Sequence, residues 1–145
     1  MREQILNEYF KKYRDTKSRI KELSYKLEEY ESTLYGVRGV SYNSIPKSTQ
    51  PPKDILTRKI QIKDELVEEI DQLETDRKIM ERKHINDIYR LKEDNHRRVM
   101  RMYYIDDLII EKISNVMMLS ENHIRKIKKK AEEEFISMII NDNKW

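Results

Sequence analysis

Side chains capable of chemistry are unevenly spread along this chain. His84, His96 and His123 are too scattered for a local metal signature, and a histidine beside an apolar stripe is far more often packed than ligating. Asp106-Asp107 is a carboxylate pair, but it falls between two helical stretches. Short acidic side chains there serve as caps, and Asp107 is placed to cap the helix that follows. No nucleophile has a base at a recognisable spacing, and there is no glycine-rich phosphate loop. An enzyme is therefore not expected, nor is a cofactor or a metal. The informative stretch is ISNVMMLSENHIRKIKKK, residues 113–130. Residues 121–131 hold five basic side chains and one acidic, a local charge of +4, and Glu132, Glu133 and Glu134 follow at once. A compact cationic patch of this kind suits the neutralisation of phosphates along a nucleic-acid backbone.

A lysine run alone is usually a solvated helix surface. The residues around it carry more weight. Ile113, Val116 and Met117 recur at i, i+3 and i+4, and form the buried face of one short helix. Ile124, Ile127 and Ala131 recur at i, i+3 and i+7 on the next. Leu119 lies between them, where a buried plug would fix the angle. Ser120 stands at an N-cap, its oxygen free to accept from a backbone N–H two or three residues on. These are the demands of a helix-turn-helix: two facing apolar stripes, with the front of the second helix left polar to enter a major groove. The outward positions are Glu121, Asn122, His123, Arg125, Lys126, Lys128, Lys129 and Lys130. Double-stranded DNA is the expected partner. Met118 is the residue that fits least, because the turn favours a left-handed backbone that glycine adopts more easily. Either the turn accepts a strained residue, at about 1 kcal/mol, or its geometry differs.

The elements that must carry this patch are helices. Charged residues make up 39% of the 145 and hydrophobic ones 37%, with only two glycines and three prolines, a composition that argues against a sheet-rich fold. In residues 2–35, Leu6, Tyr9, Tyr13, Thr16, Ile20, Leu23, Leu27, Tyr30 and Leu34 alternate steps of three and four, the seam of a coiled coil. Every glycine and proline falls within 36–52, which reads as a loop because proline breaks the helical ladder. Helical spacing resumes over 53–93 through Leu66, Ile70, Leu73, Arg77, Met80, His84, Ile88 and Leu91, with Ile62 and Val67 beside this face. Shorter apolar clusters then suggest three helices, at about 95–104, 108–117 and 121–140. The expected fold is all-α. A long N-terminal antiparallel helical hairpin, coiled-coil-like, spans 1–93 with a Pro/Gly/Ser linker at 36–52, and a small helix-turn-helix head spans 94–145. Each arm would be roughly 50–60 Å long.

The net charge of +3 says little, and residues 1–35 (8 basic, 7 acidic) and 53–94 (10 basic, 12 acidic) are each near neutral. The chain has no cysteine, no apolar leader and no run approaching the ~20 apolar residues of a membrane span. A soluble, cytoplasmic protein with no membrane partner is expected. A homodimer through the hairpin would suit paired half-sites on DNA.

The stretch VMRMYYIDDLIIEKISNVMMLSENHIRKIKKKAEEEF, Val99 to Phe135, resembles the helix-turn-helix of sigma-factor region 4. It does so from Val99, Met102 and Tyr104 through Leu108, Glu111 and Ile113 to Met117-Met118-Leu119-Ser120, Ile124, Ile127 and Ala131. Ser114 stands where that family usually has alanine, and Met118 where it often has glycine. The whole chain resembles the RinA/ArpU-type regulators of phages and prophages, closely in residues 95–140 and in architecture alone over 1–94. The resemblance implies a transcriptional regulator of late phage genes in a bacterial host cell, with RNA polymerase as a candidate partner. Carried over by position, Ser120, Asn122, His123, Arg125 and Lys126 would face DNA. Asn122 and Arg125 would read base edges, while Ser120, Lys126, Lys129 and Lys130 would contact phosphates. Two other readings remain open: a coiled-coil scaffold without DNA binding, and a small terminase-like packaging protein.

Overall fold

The computed structural model describes residues 2–34 and 53–142, and among them the chain is all-helical. Helix α1 spans Arg2–Leu34 and α2 spans Lys53–Ile88. The expected linker at 36–52, with Tyr42, and the terminal Trp145 lie outside the described residues. Three shorter helices follow: α3 Asp94–Met100, α4 Ile110–Met117 and α5 Glu121–Asn141. Between α3 and α4 the chain continues as a π-helical segment, Arg101–Ile105, closed by Asp106 N–H donating to the Arg101 carbonyl at 3.0 Å.

Packing divides the chain into two compact units. One is Asp15–Arg77, drawn from α1 and α2. Within it Arg19 pairs with Glu69 at 3.6 Å and Lys63 with Glu31 at 3.8 Å. Residue numbers rise on α1 as they fall on α2, the sense of an antiparallel pair. Leu23 is its one fully buried hydrophobic residue among those described, and the expected seam residues Ile20, Leu27, Tyr30, Leu66, Ile70 and Leu73 are only half-buried. Ile62, expected beside the seam, is exposed.

The other unit joins the first turns of α1 to the chain from Lys78 onward, so packing does not divide at the expected 93/94 boundary. Leu6, Phe10 and Tyr13 of α1, Ile88 and Leu91, Met100 and Ile105, and Ala131, Phe135 and Ile139 of α5 form one buried cluster. Each large side chain so buried contributes about 1.5–3 kcal/mol. Phe10 stacks on Tyr104 at 4.6 Å between ring centroids and lies parallel to Phe135 at 5.9 Å. His84 is buried against Tyr9, Phe10 and Tyr13, with centroids 4.6, 4.9 and 5.6 Å away.

Element ends differ from expectation in two places. The helix expected through residue 93 stops at Ile88. Leu91 turns into the core, and the Arg97 guanidinium donates to its carbonyl at 2.9 Å, satisfying a backbone acceptor that the helix no longer serves. The helix expected from 108 starts at Ile110. Asp107 is not its cap: the N-cap position is Ile109, with no side-chain cap hydrogen bond. Asp107 instead takes a left-handed backbone, φ 57°, which a short polar side chain tolerates better than most.

Candidate nucleic-acid interface

The patch is built on a second, smaller core. Val99 of α3, Ile113 of α4, and Ile124 and Ile127 of α5 are buried together, with Met102, Leu108, Met117 and Leu119 packed against them. The facing stripes read from the sequence thus meet, with one exception. Val116 is 52% exposed, so α4 meets this core through Ile110, Ile113 and Met117.

The turn between α4 and α5 resolves the question of Met118. It adopts the left-handed conformation, φ 56° and ψ 42°, with its side chain 89% exposed. The strained conformation is therefore present, and Ser114 offsets it. The Ser114 carbonyl accepts the N–H groups of both Met118 and Leu119, the latter at 3.2 Å. The Ser114 hydroxyl donates to the Leu119 carbonyl at 2.5 Å. A side-chain clasp thus holds the turn where alanine could only pack. Ser120 then caps α5, its oxygen accepting from His123 N–H at 3.2 Å.

Beyond that cap, Asn122, His123, Arg125, Lys126, Lys129 and Lys130 are all exposed, as is Ser120. Ile124 is 0% and Ile127 7% exposed, so the helix sorts its side chains cleanly by face. Asn122, Arg125, Lys126 and Lys129 recur at helical spacing along the outer surface. Arg125 donates to the Asn122 Oδ1 at 3.0 Å, which holds both side chains over the first turns. Ser120, with the open N–H groups of the first turn beside it, presents donors suited to an anion.

Lys128 does not belong to this surface, although the sequence pattern places it there. It is half-buried: its ammonium lies 4.3 Å from the centre of the Tyr103 ring and 3.4 Å from Glu132 Oε1. Glu132 is buried and also accepts a short hydrogen bond from the Tyr104 hydroxyl. Burial and the neighbouring carboxylate together push the Tyr104 hydroxyl far above its ordinary value, so it stays a donor. The exposed cations at the front of α5 are therefore Arg125, Lys126, Lys129 and Lys130. The π-helical segment supplies both tyrosines to this network; a single π-turn of five residues is too short for residue spacing to signal it. Glu133, on the outer face beyond Lys129, is paired with Arg2 at 3.2 Å.

No known protein family, curated protein or solved structure matches the chain. Among the described residues no helix is long and apolar enough to cross a membrane.

Proposed function

We propose that this protein binds double-stranded DNA through α5 and regulates transcription. The observation that carries the reading is the division of α5 into two faces: Ile124 and Ile127 buried against α3 and α4, and Asn122, Arg125, Lys126 and Lys129 exposed beyond a serine-capped N-terminus. Such a helix enters a major groove N-terminus first. Arg125 is the candidate for guanine O6/N7 and Asn122 for adenine N6/N7; the hydrogen bond between them is exchanged for base contacts on binding. Ser120, Lys126, Lys129 and Lys130 hold phosphates, and His123 flanks them. The resemblance to RinA/ArpU-type regulators supports control of late phage genes, in the cytoplasm of a bacterial host and with RNA polymerase as partner.

Two substitutions separate the roles. Arg125→Ala should lower discrimination between a preferred site and random duplex by about 1–3 kcal/mol. Lys129→Ala should weaken all duplexes alike and reduce the salt slope by about one unit. Fluorescence anisotropy over a range of salt concentrations measures both. If the two variants behave identically, α5 does not divide its work in this way.

A further inference from the structure

A cavity of about 480 Å³ opens beside α5, within the compact unit that carries that helix. Its volume is in the range of small-molecule sites, and DNA binding does not use it. Helix α1 contributes Glu3, Asn7 and Arg14 to the lining, and the segment before α4 contributes Tyr103, Leu108 and Ile109. Lys128 and Glu132 of α5 also line it, and they neutralise each other at 3.4 Å.

Glu3, Asn7 and Arg14 share one face of α1, at i, i+4 and i+11. The Arg14 guanidinium donates to the Asn7 carbonyl at 3.1 Å and to the Asn7 Oδ1 at 3.5 Å. Its side chain therefore runs back along the helix toward Asn7. Among the described residues no carboxylate pairs with it, although a guanidinium is the side chain best shaped to hold one. Glu3 lies one turn before Asn7, about 6 Å along the axis, and both Glu3 and Arg14 are exposed. Glu3 also suits the positive end of the α1 dipole, but that leaves the unpaired guanidinium unexplained. An anion and a cation, about one turn apart, thus border the same opening.

The apolar part of the lining is equally particular. Ile109 occupies the N-cap position of α4, makes no side-chain cap and is 64% exposed. Isoleucine is among the poorest N-cap residues, and its exposure leaves an apolar surface in water. Tyr103 and Leu108, both half-buried, line the cavity with it.

We infer that this cavity binds a zwitterionic amino acid with an apolar or aromatic side chain. Arg14 holds the carboxylate, Glu3 accepts from the ammonium, and Tyr103, Leu108 and Ile109 cover the side chain. The two charged groups sit on one carbon, which suits protein partners about one turn apart. A simple anion would meet the carboxylates of Glu3 and Asp107, which also line the cavity. A simple cation would meet Arg14. Only a ligand with both charges is complementary to both.

The test uses the full-length chain without DNA, so its failure leaves DNA recognition by α5 untouched. Isothermal titration calorimetry should show saturable, one-to-one binding of at least one of leucine, isoleucine, methionine and phenylalanine at millimolar concentration or below. The matching amide, which lacks the carboxylate, and the matching deamino acid, which lacks the ammonium, should each bind at least about tenfold more weakly. Arg14→Ala and Glu3→Gln should each weaken the amino acid by a similar factor, while Arg19→Ala, outside the cavity, should not. Circular dichroism checks that each variant keeps its helix content. Absence of binding by all four amino acids overturns the proposal. So does a deamino acid or an amide that binds as tightly as the parent, or binding that is indifferent to Arg14→Ala.

Discussion

At the scale of single residues, the turn before α5 and the ring cluster around His84 make opposite demands. Met118 holds a left-handed backbone, and the Ser114 hydroxyl clasps the far side of the same turn. Ser114→Ala should therefore lower stability by about 1 kcal/mol, read from urea unfolding, and should loosen α5 before any other helix in hydrogen exchange. Both residues depart from the sigma-like pattern. The sequence flags each departure singly, yet not that one compensates the other, because the compensation is a hydrogen bond across five residues. His84 is a different case. Burial, and to a lesser degree Lys83, lower its pKa from 6.5 to about 4, with Asp87 opposing, and its Nδ1 has no hydrogen-bond partner among the described residues. The folded chain thus keeps a neutral imidazole where the unfolded chain takes up a proton. Its contribution is intact above about pH 6.5 and is lost as pH falls toward 4, roughly 2–3 kcal/mol in all. Urea midpoints of wild type and His84→Leu, measured from pH 7 to pH 4, should converge or cross as the wild type loses stability faster.

Among the elements, helix content and the α4–α5 geometry were legible, because periodicity reports which face of a helix is apolar. It does not report what that face meets. Leu6 and Tyr13 read as hairpin seam, yet with Phe10 they complete the core that holds α5 through Phe135 and Ile139. Tyr9 and Phe10 both fit the seam between Leu6 and Tyr13; the spacing of Phe10, four from Leu6 and three from Tyr13, was the available signal that it is the core residue. Phe135 and Ile139 likewise extend the stripe of Ala131 at steps of four. The end of α2 at Ile88 carries no proline or glycine, so tertiary packing of Leu91 decides it. Phe10→Ala should cost about 3–5 kcal/mol. Thermal unfolding followed by amide signals of α5 should show the loss, although the two elements lie far apart in sequence.

For the molecule as a whole, charge is partitioned by element. The acidic block of α2 at residues 64–76 and the exposed cations of α5 belong to different compact units. Near-neutral totals over 53–94 hid that block, because the basic halves on either side cancel it in the sum. The same partition bears on the central claim. If α5 is the DNA-binding surface, its four exposed cations set the electrostatics of binding. The most direct measurement is the affinity of the full chain for random duplex DNA as salt is raised. Binding should weaken with a logarithmic slope of about −3 to −4, and Lys126→Ala/Lys129→Ala together should flatten it by about two units. Affinity that is absent at low salt, or a slope unchanged by the double substitution, would contradict DNA recognition by α5.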